Sequence, residues 1–489
     1  MKHLRNVLSC LTFLLLLAIS LIRINEILEQ KSLLINSNWP STATYKQFYK
    51  TDRNSIEVLF LGSSVVANAF IPQEIYNEYG ITSYNLAAEQ QSLFLNYYWL
   101  KESLRYQTPK VVVLDLKFMC TLHPDDAINM EEGQIRKSID SMRFSKVKYD
   151  AIKKICALDN NQSAISYLLT NIRYHGRWVE LQEYDFNQEI MDNAPLYGYA
   201  PNVDKGPETY DAYTQHDKDI KMSFNPIMQE YLDKIVELCD ENNINLLLID
   251  LPGNEMNDAI NNSHEEYAEK NGIDYCNLCN IDNFNELGAN LPEENVVNHQ
   301  NFKGAIITSR FIGSLIKDKY DIPPVVDSQF EDTKSFYKQT LNSLRLIDVN
   351  NISDYFNLIN KDNYEIFISS YGDVSEVFND EIRQEFAVLG LKTIKYLPEE
   401  TSYVAVIDKG NVAWEEYSRE KISFSASFRN ENSIYTIESS GKDYYYERSI
   451  NIDGDVFSRK GKGLNITVYD LNLCKVIDSV TINRDGVFR

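Results

Sequence analysis

With 489 residues the chain has room for two or three domains, and 44% apolar with 24% charged residues is a globular balance that excludes a disordered chain. A net charge of −23 with no local basic cluster argues against nucleic acid as a partner. It leaves neutral sugars, cationic groups or a merely solvated surface as what the acidic chain meets.

The amino end carries the compartment signal. Lys2, His3 and Arg5 precede residues 7–22, sixteen residues without a charge, and Arg23 closes the run. Sixteen is slightly short of the roughly 20 residues a spanning helix needs, but an arginine at the end can snorkel to the interface. The chain continues Ile24-Asn25-Glu26-Ile27 with no small-residue cleavage site. Residues 1–24 therefore read as a cytoplasmic tip and retained signal anchor in the cell membrane, single-pass, with the C-terminal bulk extracellular. A cleaved signal peptide is the alternative. Residues 25–53 read as a stalk.

From residue 54 the pattern is strand, helix, strand, helix, strand. The run Ile56-Glu57-Val58-Leu59-Phe60-Leu61 ends abruptly in Gly62-Ser63-Ser64, which reads as a buried strand followed by a tight turn. A helix opening near Pro72, a strand over 82–86, a helix over 92–106 and a strand over 110–115 follow. This alternation predicts βαβ units and a parallel sheet. Ser64 would then stand at the carboxyl edge of the sheet, where α/β proteins place their sites.

Residues 116–224 break the rhythm as an insertion, helical over 138–171 and lid-like over 183–224. Within it, Tyr174-His175-Gly176-Arg177-Trp178 concentrates aromatic rings and a guanidinium. His175, Arg177 and Trp178 are candidates for stacking on sugars or holding an anionic acceptor, with packing of an amphipathic lid as the alternative. The α/β pattern resumes with a helix over 227–241, a strand over 244–250, a helix over 263–271, a strand over 273–278 and a helix over 304–319. Ile322-Pro323-Pro324 closes this domain, residues 54–324, and the acidic residues 325–335 read as a linker. Residues 336–489 carry short strands, at 364–369, 403–407, 433–438 and 464–469 among others, and one helix over 380–389 capped by Gly390. They read as a separate β-rich α+β domain.

A serine nucleophile needs a base within hydrogen-bond reach and donors for the oxyanion. Of six histidines, His3 precedes the anchor, and His123, His216 and His264 lie in polar, surface-like contexts. His299 is different, because it stands in a loop immediately before the last helix of the domain and hence at the same sheet edge as Ser64. The seven cysteines give no disulfide framework. Cys276 and Cys279 have metal or redox spacing, but no second pair or nearby histidine completes a site, so they read as structural. No cofactor and no metal are expected.

These residues resemble the SGNH (GDSL-like) hydrolases and acyltransferases. Gly62-Ser63-Ser64 matches the family's opening block, Asn85-Leu86-Ala87 its second block, and His299 with Gly304-Ala305 its histidine motif. The Gly-Ser-Ser form is similar to the membrane-anchored envelope branch that includes the teichoic-acid D-alanyl transfer protein and alginate acetyltransferase-type proteins. The resemblance implies a flavodoxin-like parallel sheet with Ser64 as nucleophile and His299 as base. It also implies an oxyanion site built on the Ser64 and Gln90 backbone amides with Asn85, and a cell-envelope polysaccharide or teichoic acid as substrate. A membrane acyl-donor protein would be the partner. Three departures stand out: Val296 where the family has its acid, with Asn295 and Asn298 the nearest polar residues, Gln90 where it has a glycine, and no Gly-x-Asn after Val113. Residues 336–489 resemble the interleukin-like EMT inducer (PANDER-like) domain, which implies a β-sandwich and glycan binding; a spacer or dimerisation role is the alternative. The sequence thus predicts an O-acyltransferase or esterase, the alternative being a catalytically degenerate polysaccharide-binding or assembly protein.

Overall fold

The computed structural model describes residues 2–29, 41–119, 132–181, 183–186, 196–203, 212–288, 299–372, 374, 380–428, 433–440, 449–459, 461–473 and 475–489. The amino end is a single helix, Lys2–Leu28, whose residues 3–28 are long and apolar enough to span a membrane, with a mean hydropathy of 2.5 and no residue of the most apolar window buried. Beyond it the chain divides into two compact units that meet in sequence at Lys334 and Ser335.

The first unit is built on five parallel strands, β1 (Val58–Gly62), β2 (Ser83–Ala87), β3 (Val111–Asp115), β4 (Asn245–Asp250) and β5 (Asp274–Asn277). They lie in the doubly wound order β2-β1-β3-β4-β5. Because side chains alternate along a strand, the unbroken apolar runs feed two cores. Leu59, Leu61, Val112, Leu114, Leu246 and Leu248 point to one face, and Val58, Phe60, Val111, Val113, Leu247 and Ile249 to the other. Helices Leu93–Ser103 and Pro226–Glu241 cover the first face through Phe94, Tyr98, Met228 and Leu232. Helices Ser64–Ala69, Pro72–Tyr79 and Phe302–Tyr320 cover the second through Val65, Ile75, Ile312 and Ile316. This two-sided burial is why the strands read as continuous apolar runs.

The insertion is not one long helix but several short ones, among them Glu132–Ser141, Lys146–Leu158, Ala164–Leu168 and Asn171–Tyr174. Residues 196–203, expected as lid, are packed instead: Leu196, Tyr197, Tyr199 and Ala200 are buried. Most of the segment expected as a linker is also ordered. Asp327 accepts the Gln329 and Phe330 N–H groups at 2.9 and 3.1 Å, starting the helix Ser328–Leu344. Phe330 then stacks on Tyr197 with ring centroids 3.9 Å apart.

The strand pairs of the second unit are antiparallel. Strands β6 (Tyr364–Tyr371), β7 (Ser402–Asp408) and β8 (Asn411–Ser418) join β13 (Gly463–Asp470), β14 (Lys475–Asn483) and β15 (Gly486–Phe488) in a six-stranded sheet. Strands β9 (Ile422–Phe428), β10 (Ser433–Ser439), β11 (Ser449–Ile452) and β12 (Asp455–Val456) form a four-stranded one. Phe367, Val406 and Tyr469 of the larger sheet pack with Phe428, Tyr435, Ile437 and Ile450 of the smaller, the interdigitated core of a sandwich.

Candidate active site

The apolar run of β1 ends because Gly62 leaves no room for a side chain: a Cβ there would stand 2.3 Å from the Val66 Cγ2 and 3.1 Å from the Asp115 Cβ. Ser63 follows in extended conformation as the helix cap, its Oγ accepting the Val65 N–H at 3.4 Å. Ser64 is the first helical residue and stays half-exposed. At that position the backbone N–H has no intrahelical acceptor, so the turn presents hydroxyl and amide together.

His299 meets it. The Ser64 Oγ and His299 Nε2 are 2.9 Å apart, joining positions 235 residues distant in sequence. The histidine loop is held from both sides. Asn301 caps the following helix, accepting the Lys303 and Gly304 N–H groups at 3.1 Å each. The Gln300 Oε1 accepts the Thr308 hydroxyl at 2.8 Å. The Asn202 amide donates to the His299 carbonyl at 3.5 Å, and the Phe302 N–H to the Asn202 carbonyl at 2.9 Å.

Asn202 belongs to the buried segment 196–203, which ties the site together and which the sequence reading took for a lid. Its Tyr197 carbonyl accepts the Asn85 N–H at 2.9 Å, its Ala200 N–H donates to the Ala67 carbonyl at 2.8 Å, and its Ala200 carbonyl accepts the Asn68 amide at 2.6 Å. Gly198 makes the approach feasible: it has φ +83°, and a Cβ there would lie 2.2 Å from the Asn85 carbonyl oxygen. The Asn68 and Asn85 Oδ1 atoms, the Tyr199 hydroxyl and the Gln300 Nε2 are buried with no hydrogen-bond partner among the described residues. Such atoms cost about 1–3 kcal/mol each, and here they concentrate on the elements that carry the serine and histidine.

The other expected donors are placed as follows. Gln90 stands three residues beyond Ala87, which pairs with Gly62, so its turn leaves the sheet beside the serine turn. Gln90 is exposed and left-handed at φ 51°, a conformation that favours glycine. The Asn85 side chain donates to the Phe70 carbonyl at 2.8 Å from inside β2. Val296, Asn295 and Asn298 lie outside the described residues.

His175, Arg177 and Trp178 form a short 3₁₀ turn whose hydrogen bonds run elsewhere. Arg177 donates to the Leu28 and Glu29 carbonyls at 2.9 and 2.6 Å and to Asp185 at 2.8 Å, His175 contacts the Ile172 carbonyl at 2.9 Å, and Trp178 is exposed.

Two acids at the same sheet edge carry more than their positions in the sequence suggested. Asp115 ends β3, buried, with the Asn254 amide donating to it at 2.7 Å. Burial, reinforced by the charge of Asp250, pushes its carboxyl up to about 7. Asp250 ends β4 and accepts from the Tyr275 hydroxyl at 2.8 Å, with the His264 Nδ1 2.7 Å away on the same oxygen. His264 is 2% exposed, which corrects its reading as a surface histidine; His216 is exposed as expected, and His123 lies outside the described residues. Cys276 and Cys279 are free thiols, the Cys279 Sγ donating to the Leu251 carbonyl at 3.0 Å. Among the described residues no group of acids, histidines and cysteines has a metal-binding arrangement.

No family model matches the chain, and no curated protein matches it.

Proposed function

We propose that the chain is an extracytoplasmic SGNH-type O-acyltransferase or ester hydrolase, anchored by the helix Lys2–Leu28. Its substrate would be a cell-envelope polysaccharide or teichoic acid. The observation that carries this reading is the 2.9 Å approach of the Ser64 Oγ to the His299 Nε2 at the carboxyl edge of a five-stranded parallel sheet. A base at hydrogen-bond distance from a half-exposed serine on a strand-to-helix turn is what nucleophilic acyl transfer requires.

In this reading the Ser64 Oγ attacks the acyl carbonyl while its proton passes to the His299 Nε2. The Ser64 and Gln90 backbone N–H groups hold the oxyanion. Collapse breaks the bond to the leaving group, which takes the proton back from His299, and leaves an ester on Ser64. A glycan or teichoic-acid hydroxyl, or water, then attacks that ester, its proton going to His299; collapse breaks the bond to Ser64, whose Oγ takes the proton back from His299 as the acyl group leaves on the attacking oxygen. The order β2-β1-β3-β4-β5 supports a flavodoxin-like assignment. The two-sheet second unit supports glycan binding as the role of the C-terminal half. A membrane acyl-donor protein would supply the acyl group.

Fluorophosphonate labelling and acetyl-ester turnover of the detergent-solubilised full chain test the proposal, with Ser64→Ala as control. The expected result is Ser64-dependent labelling, with turnover falling by about 10³-fold or more in the variant. Equal signals from both proteins would remove the enzyme reading and leave a polysaccharide-binding or assembly protein on the same fold.

A further inference from the structure

The segment that holds the end of the amino-terminal helix shows a surface the catalytic proposal does not use. Arg177 caps that end through the Leu28 and Glu29 carbonyls, and the Asn25 Oδ1 accepts the Asn171 N–H at 2.9 Å. The helix exit is thereby fixed to the turns spanning residues 171–179. Arg23 marks the limit of the apolar run, and Leu28 follows it by five residues, about 7–8 Å along a helix. Half the difference between the full bilayer and its hydrocarbon core is about 5–8 Å. A capping residue at that height stands in the headgroup layer.

The segment that carries this cap exposes apolar side chains. Trp178, one residue from the Arg177 cap, is 72% exposed, Val179 78% and Phe186 64%, and Ile165 and Ile172 are exposed beside them in sequence. Scattered surface apolars need no explanation, but a concentration of them in one short segment does. The same segment is firmly held from beneath. The buried Arg136 guanidinium lies 3.5 Å from the Tyr167 ring centroid and donates to the Ser166 carbonyl at 2.9 Å. The Tyr174 hydroxyl donates to Asp140 at 2.8 Å. The segment is thus pinned by polar contacts at Ser166, Tyr167 and Tyr174, while Ile165, Ile172, Trp178, Val179 and Phe186 are exposed, with the polar Arg173, His175 and Glu180 among them.

We infer that residues 165–181 together with 183–186 form a membrane-surface platform that lies in the outer headgroup region of the bilayer, beside the point where the helix Lys2–Leu28 leaves it. The occupant of the apolar surface is lipid, because it is continuous with a helix end that itself belongs at the interface, and tryptophan is the residue enriched there. The inference rests on the reading of Lys2–Leu28 as a membrane-spanning helix. It replaces sugar stacking as the role of Trp178.

The test uses the full chain reconstituted in phosphatidylcholine vesicles, with and without lipid brominated near the head of the acyl chain. Subtracting the emission of Trp178→Phe isolates Trp178 from the other three tryptophans. The expected Trp178 emission is blue-shifted and quenched by brominated lipid, and Val179→Ser with Phe186→Ser weakens that quenching. Alkaline carbonate extraction of the same vesicles reports the anchor separately. A chain retained by carbonate whose Trp178 emission is water-like and unquenched would overturn the platform alone, and point to a protein occupant such as the acyl donor. A chain released by carbonate would overturn the anchor, and the platform with it.

Discussion

Two histidines of the first unit lie near strand ends of one sheet in opposite surroundings. Both stand at the carboxyl end of a strand of one sheet, His299 against the turn after β1 and His264 against Asp250 at the end of β4. His264 has a carboxylate partner 2.7 Å away, the arrangement that orients a catalytic base, yet both groups are almost fully buried and the Tyr275 hydroxyl donates to the same oxygen. His299 meets a hydroxyl instead, and both members of the pair are half-exposed. Under the proposed function, exposure and a hydroxyl partner fit His299 to act as a base, whereas burial against Asp250 fits His264 to a structural role.

The largest expected effect separates the two directly. His299→Ala lowers Ser64-dependent labelling by about 10³-fold or more while leaving the urea unfolding midpoint near that of the wild type. His264→Ala removes one of the two hydrogen-bond partners of that buried Asp250 oxygen and leaves the Tyr275 hydroxyl, which costs roughly 1–3 kcal/mol, and folded molecules still label. Reversal of the two phenotypes would break the comparison.

Asp115 lies between the two regions and responds to one of them. Its folded carboxyl, raised to about 7, keeps a proton that the unfolded chain has lost above its ordinary value of 3.8. The native state then binds more protons than the unfolded one, so this group's contribution to stability is complete below about pH 4, falls as pH rises, and is gone above about 7. Asp115→Asn removes that fall, a difference of at most about 4 kcal/mol between pH 4 and pH 8, read from melts across the range. An unchanged pH profile would show that Asp115 is ionised in the fold.

Gln90 gives the smallest effect. Relieving its left-handed backbone gains about 1–2 kcal/mol and the added chain freedom of glycine returns roughly 0.5–1. Gln90→Gly is therefore expected to stabilise by about 0.5–1 kcal/mol, with labelling retained, because the backbone N–H persists. Destabilisation by this variant would mean that the Gln90 side chain holds the turn.

The legible part of the fold was the part governed by local pattern. The runs ending at Leu61 and Asp115 bury both faces and so show as unbroken apolar stretches, and Gly62-Ser63-Ser64 marks its own turn. The serine and histidine came together in the reading because a parallel sheet brings its carboxyl-end loops to one edge. The buried role of His264 was not legible, since its partner lies 14 residues away on a neighbouring strand and its own helix is rich in polar residues. Residues 196–203 were misread for a related reason. They are held chiefly by main-chain hydrogen bonds and by a glycine against a carbonyl, neither of which leaves a hydropathy period. The Arg177 cluster was visible as a concentration of side chains, but its partners are carbonyls at the end of a helix 148 residues earlier.

The segment 196–203 has a consequence for solubility. β2 is the outermost strand of the parallel sheet, and an open strand edge is a template for pairing with other chains. The Tyr197 carbonyl takes the Asn85 N–H of that edge, and Gly198 lies too close to the Asn85 carbonyl for another strand to enter. The chain that frames the serine and histidine therefore also covers the β2 edge at Asn85, so trimming the insertion to obtain a smaller fragment would uncover it.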